Sequence, residues 1–350
     1  MTFFKNLEFG SDFNLIADYP KGRSIADNLE QYRMFADGRQ ALESVLILEK
    51  IKRIFVPSYY CHESIQGVRE LGVEICFYPC TPVADPTEAT KNLQIRESDA
   101  LLFMNHFGLH DIPSKQRSDC IVIEDHSHNL TGRWASNSVA DWCFASLRKT
   151  LPIADGGILW SPARHKLPPD PKTDAEVSKT ISNRYQAMAM KSRYLAGEKI
   201  EKSFYLNKFH LTENAFSDMP VSAIYYKSKK IVSELDIDAW NRIKYNNWSY
   251  LFNLFANTND LFTVLNPDNQ TDVPFSLIME FADGQYRDKV RKKLIENNIF
   301  PAVLWKIPVN VDFASFDFCC RMLSVHCDAR YTLDQIKVMA NRMATILEKI

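Results

Sequence analysis

The strand-like run Cys120-Ile-Val-Ile-Glu-Asp125 ends in adjacent carboxylates, with His126 and His128 close behind. In a layered α/β sheet, ligands sit beyond the carboxyl ends of the strands, so Asp125 is a candidate pocket residue; a loop or helix-capping carboxylate is the alternative. A second run, Phe144-Ala-Ser-Leu-Arg-Lys149, places a serine three residues before a lysine, and Gly156-Gly157 follows. A lysine whose amine is kept partly neutral condenses with carbonyl compounds, and a serine beside it can bind phosphate. Taken alone, a lysine there is usually a solvated surface residue. In Phe35-Ala-Asp-Gly-Arg-Gln-Ala-Leu42, Gly38 opens an amphipathic helix whose free N–H groups and positive dipole end suit a phosphate. The pattern is neither a Walker A loop nor GxGxxG, so it carries no nucleotide-binding claim. Lastly, Pro57-Ser-Tyr-Tyr-Cys-His62 forms an aromatic loop after a short strand, where a ring could cover a flat heterocycle.

Together these features match what pyridoxal 5′-phosphate requires of a protein. The helix start cradles the phosphate and the aromatic loop covers the ring. The aspartate keeps the pyridine nitrogen protonated so the ring acts as an electron sink, and the lysine holds the aldehyde.

The elements that must position these residues follow from periodicity. Apolar residues fall at helical spacing over 38–50, and a strand follows at 54–56 before Pro57. The alternation continues with a helix at 63–71 and strands at 73–78, 100–104, 120–123, 140–145 and 158–160. Such a series predicts an α/β layer with a mostly parallel sheet buried on both faces. Residues 173–235 are polar and helix-prone and read as a helical link. Beyond 236 the order changes to a smaller α+β unit: helix 240–255, strands 262–265 and 276–281, helix 285–297, strands 302–305 and 321–325, and helix 332–350. Thr332-Leu-Asp-Gln335 reads as a capping box for that last helix.

Composition narrows the function classes. With 350 residues and a net charge of −1, the chain is long enough for two units and carries no bulk field favouring nucleic acid or an anionic membrane. No apolar run reaches transmembrane length, and Lys5, Glu8 and Asp12 interrupt the start where a signal peptide would be apolar. The eight cysteines have no CxxC spacing, which predicts reduced thiols in a cytoplasm and no zinc site.

The order and spacing of these residues resemble the DegT/DnrJ/EryC1/StrS sugar aminotransferases, most closely over 35–160 and more loosely at 298–305 and 322–326. The resemblance implies the α/β architecture of fold-type I pyridoxal-phosphate enzymes. A large, mostly parallel α/β/α sheet domain at 1–235 would carry the cofactor, with a smaller C-terminal α+β domain at 236–350. Lys149 matches the lysine that holds the cofactor and moves the catalytic proton, and Asp125 the partner of the ring nitrogen. His128 matches the residue near the cofactor hydroxyl. Ser146 matches a phosphate ligand, and Arg39 and Gln40 the backbone amides that hold the phosphate. The family's ring-stacking aromatic falls at Cys61, so either Tyr60 takes that role or the smaller Cys61 covers the ring. The family's Gly-x-Asn-x-Arg segment, which reaches the partner subunit's cofactor, has no clear match near Asn214 to Pro220. The implied reaction is amino transfer from an amino acid such as glutamate to a keto-sugar, nucleotide-linked, in a cytoplasmic homodimer without nucleic-acid or membrane partners and without a metal. A dehydratase or lyase on the same scaffold, and a non-catalytic binding module, stand as alternatives.

Overall fold

The computed structural model describes residues 6–112, 117–256, 261–269 and 272–350. Lys5, used above in reading the start of the chain, lies outside them. Three sheets are present among the described residues. A two-stranded parallel pair joins β1 (Phe9–Gly10) to β11 (Ile299–Phe300). A seven-stranded sheet holds β2 (Arg33–Phe35), β3 (Arg53–Pro57), β4 (Glu74–Tyr78), β5 (Ala100–Met104), β6 (Ile121–Asp125), β7 (Trp142–Ser146) and β8 (Gly157–Trp160). A three-stranded antiparallel sheet holds β9 (Phe262–Val264), β10 (Leu277–Phe281) and β12 (Met322–Val325).

The large sheet runs in the order β2-β8-β7-β6-β5-β3-β4, and β8 alone runs opposite to the other six strands. Its middle strands are buried on both faces because their apolar runs are continuous. Along β5, Leu101 and Phe103 enter one core while Ala100, Leu102 and Met104 enter the other. The same two-residue period on β6 sends Glu124 and Asp125 to opposite faces. The helix Gly38–Leu48 covers the Asp125 face with Ala41, Leu42, Val45 and Leu46, and the helices Ala175–Leu195 and Tyr226–Glu234 close the other.

A second core packs β9, β10 and β12 against the helices Ile237–Phe255, Gly284–Glu296 and Leu333–Leu347. The boundary expected after residue 235 falls just before the first of these, which contributes Ile237 and Trp240 to the first core and Trp248, Leu251 and Phe255 to the second. Phe9 on β1, expected with the large unit, is buried in the second core. A smaller apolar cluster, including Tyr59, Phe107, Ile278 and Phe318, joins the two units beside the carboxyl edge of the large sheet.

The expected capping box is formed: Thr332 Oγ1 accepts from the Gln335 amide, and the Gln335 side chain accepts from the Thr332 amide. The expected strand at 302–305 is not. Only Ala302 bridges, to Ser324, and the chain then turns across the site. The helix expected over 63–71 starts as a 3₁₀ turn at His62–Ile65 and is α-helical only over Gln66–Glu70. All eight cysteines are free thiols, five of them buried. No described helix is long and apolar enough to cross a membrane.

Candidate active site

At the carboxyl ends of β3, β5, β6 and β7, beside the N-terminus of the Gly38 helix, lies a cavity of about 470 Å³. Arg39, Tyr60, Cys61, Asp125, His128, Ser146 and Lys149 all line it, whereas Gln40 does not. Sequence neighbours on separate loops are thus collected at one sheet edge, as expected for this layered topology.

Asp125 is the last residue of β6 and is 5% exposed. One carboxylate oxygen accepts the Ser127 amide at 2.8 Å and the other accepts the Tyr60 hydroxyl at 2.6 Å. Burial pushes its pKa above the ordinary carboxylate value, while the Ser127 and Tyr60 donors oppose the rise. A cation or N–H beside this carboxylate would recover the charge that burial penalises.

His128 is held as one tautomer. Its Nδ1 faces the Phe107 amide at 3.0 Å, and because an amide can only donate, Nδ1 carries no proton. Burial, followed by the field of Lys149, pushes the imidazole well below its ordinary pKa, so the ring is neutral and its proton sits on Nε2. Rings on both sides fix its plane: Phe275 with centroids at 4.2 Å, Trp305 at 5.2 Å and Phe107 at 5.3 Å. Phe107 adopts a left-handed backbone, φ 56°, and its carbonyl accepts the Phe275 amide. That strained residue therefore ties the loop after β5 to the second unit across the histidine.

Ser146 ends β7, and its amide donates to Ser127 Oγ at 2.8 Å. Gly38 lies flush against it: a Cβ on Gly38 would stand 3.0 Å from the Ser146 Cβ and 3.1 Å from its backbone nitrogen. The helix start therefore opens directly beside the serine. Asp37 caps this helix, accepting from the Arg39 amide at 3.2 Å and from Arg39 Nε at 3.1 Å. The Arg39 amide expected to face a phosphate is already engaged with Asp37, although the residue lines the cavity. The Gln40 side chain points away, donating to the Pro220 carbonyl and accepting from the Ser222 amide, and so anchors the 220–222 segment.

Lys149 follows in the 3₁₀ turn Leu147–Lys149 and lines the cavity half-buried. Its neighbour Arg148 makes a two-pronged salt bridge with Glu213 at 2.8 and 3.1 Å and lies over the Phe216 ring. Burial raises the Glu213 carboxyl, but Arg148 and Arg184 overcome this and hold it down to about 2. His106 serves the backbone, meeting the Tyr59 carbonyl at 2.6 Å, and burial pushes it down to about 3.

Two contributors escaped the sequence reading. Ser127 bridges Asp125 and Ser146; its place in Asp-His-Ser-His, directly behind the strand-end acid, was the available signal. Glu213 sits on the helix Lys202–Ala215 with no local signal. Trp305, at the end of the strand expected over 302–305, instead walls the cavity, its indole N–H buried without a partner among the described residues.

Neither a family model nor a curated protein matches the chain. Solved structures do. Helicobacter pylori PseC, an aminotransferase involved in the biosynthesis of pseudoaminic acid, superposes with TM-score 0.62 at 13% identity, covering 98% of this chain and 100% of its own. A DegT DnrJ EryC1 StrS aminotransferase from Brucella abortus gives TM-score 0.54 at 14% identity over 93% and 91% of the two chains. Spr1654 from Streptococcus pneumoniae, solved in a PLP form, gives 0.56 at 11% over 92% and 88%. The chain has the fold shared by these proteins, the fold-type I architecture that its motif order resembles.

Proposed function

We propose that the protein is a pyridoxal-phosphate-dependent aminotransferase that moves an amino group from an amino acid such as glutamate to a keto-sugar, nucleotide-linked. The reading further makes it a cytoplasmic homodimer with no nucleic-acid or membrane partner. The observation that carries it is the convergence of Asp125 and His128 from one sequence segment, and Ser146 and Lys149 from another, on one cavity beside the Gly38 helix start.

The residues present fit the cofactor. Asp125, buried and raised, has no ion pair among the described residues, and a protonated ring nitrogen would supply one. His128 presents one fixed Nε2–H donor to the cavity, suited to a phenolic oxygen. Ser146, Ser127, the Arg39 guanidinium and the Gly38 helix start form a polar cradle suited to a phosphate. Trp305 and Tyr60 supply aromatic surface, with ring centroids 6.2 Å apart, and the small Cys61 leaves room between them and the helix. Pyridoxal phosphate, when bound, supplies an electron sink for a carbon next to nitrogen.

The chain's own residues do the rest. Lys149 would hold the cofactor, and its amine, when free, would move a proton at the substrate carbon. Asp125 holds the proton on the ring nitrogen by charge, in a site dry enough for that charge to act strongly. The neutral His128 and its stacked rings orient the cofactor plane without adding a cation next to Lys149.

Borohydride treatment of the coloured protein followed by peptide mapping should label Lys149. Lys149→Ala should abolish both the visible absorbance of the cofactor–lysine adduct and all turnover. A variant that keeps either refutes the assignment. Release of 2-oxoglutarate from glutamate separates amino transfer from dehydration.

A further inference from the structure

Past Lys149 the cavity adjoins a smaller chamber of about 160 Å³ between the helices Ala175–Leu195 and Ile237–Phe255 and the residues Ala302, His326 and Asp328. The chamber is rich in cations, and most of them are matched. Arg148 and Arg184 share Glu213, and Arg184 also donates to Asp12 at 2.7 Å. Arg330 takes both oxygens of Asp328, at 2.7 and 2.9 Å. His326 carries no charge at neutral pH, because burial and Arg330 push it down to about 4.

Lys244 is different. It is only 5% exposed, it lines the chamber, and no described residue pairs with it or accepts a hydrogen bond from it. Its defined contact is the Phe275 ring, whose centroid is 5.6 Å from Nζ. Asp328 acts on it through space but spends its oxygens on Arg330. Burying an ammonium without a counter-charge is unfavourable, so an anion entering this chamber finds a dehydrated cation waiting. The volume decides the anion's class. A chamber this size admits a carboxylate on a short carbon chain and is too small for a nucleoside diphosphate.

We propose that Lys244 anchors a substrate carboxylate, and that this is the α-carboxylate of the amino donor, which stands one bond from the carbon that reacts beside Lys149. Assigning the carboxylate to the donor rests on the aminotransferase reading. An uncharged sugar would have no use for this cation.

The test is calorimetric binding of glutarate, an unreactive dicarboxylate, to full-length protein saturated with pyridoxal phosphate. Lys244→Met should weaken glutarate by about tenfold or more, as expected for losing a charged hydrogen bond, and Lys244→Arg should retain most of the affinity. A Met variant within twofold of wild type overturns the proposal, as does equal loss in the Arg and Met variants. If Lys244→Met does not fold, Lys244→Gln is read by the same criteria. Displacement of glutarate by L-glutamate assigns the site to the donor, and displacement by D-galacturonate alone assigns it to a sugar acid. Cofactor loading is read separately from absorbance. Lys244-dependent glutarate binding in a protein that takes up no cofactor would refute the enzyme reading and keep this site; the reverse result would refute the site alone.

Discussion

Asp125 already accepts two hydrogen bonds before any ring nitrogen reaches it, and the Tyr60 hydroxyl at 2.6 Å is the shorter of them. Each donor favours the carboxylate form against the burial that raises it. Tyr60→Phe should therefore push the carboxyl further up and weaken pyridoxal-phosphate binding by roughly three- to tenfold, read by fluorescence titration. Asp125→Asn removes the charge altogether and should cost more than tenfold in the same titration, with a larger fall in turnover than Tyr60→Phe. If the two variants bind the cofactor equally well, the carboxylate is not its partner. At this scale the sequence revealed residue types and little about aim. Asp125 and Lys149 were readable because strand-end acids and loop lysines fall at predictable points of an alternating pattern. The bond from Tyr60, the clasp of Asp37 on Arg39 and the outward turn of Gln40 depend on partners brought in by other segments. The His128 tautomer was equally hidden, because the amide that sets it belongs to Phe107 on a different loop.

Among the elements, the helix Gly38–Leu48 matters most to the site, because its first turn abuts Ser146. Gly38→Ala would set a Cβ 3.0 Å from that side chain, and either the helix or the end of β7 must yield. An overpacking cost of about 1–3 kcal/mol follows, seen as a lower thermal midpoint, together with weaker cofactor binding as the cradle opens. A Gly38→Ala protein that melts and binds like wild type would show that the helix start is looser than its packing implies. Long periodic elements were legible: β5 runs over the residues its apolar pattern marks, and the last helix carries its capping box. Short or irregular ones were not. The three residues Arg33–Phe35 show no period of their own and become a strand only by pairing with β8. The aromatic-rich Phe313–Arg321 helix has no clear stripe, and 302–305 looked like a strand because Val and Trp favour one, whereas Trp305 stacks on His128 instead.

For the molecule as a whole, a buried acid outside the cavity contributes to how stability answers to pH. Asp155, in the loop before β8, accepts the Tyr225 amide at 2.8 Å and the Ser228 hydroxyl, tying that loop to the helix Tyr226–Glu234. Burial pushes its pKa up to about 7, from 3.8 in an unfolded chain. Between those values the native state holds a proton that the unfolded state has lost, so this group's contribution to stability falls as pH rises towards 7 and is level above it. In urea unfolding, the change in stability between pH 5 and pH 8 should be less unfavourable in Asp155→Asn than in wild type by about 3 kcal/mol. Parallel slopes in the two proteins would remove Asp155 as the cause. The change in element order near 236 was readable from periodicity, but the place of Phe9 in the second core was not, because the two residues of β1 carry no pattern. Its register, Phe9 against Ile299, also sets a schedule for the newborn chain. At ribosomal speeds of about 5–20 residues per second, the partner strand emerges roughly 15 to 60 seconds after Phe9, and until then an aromatic destined for the interior is open to any chaperone that meets it.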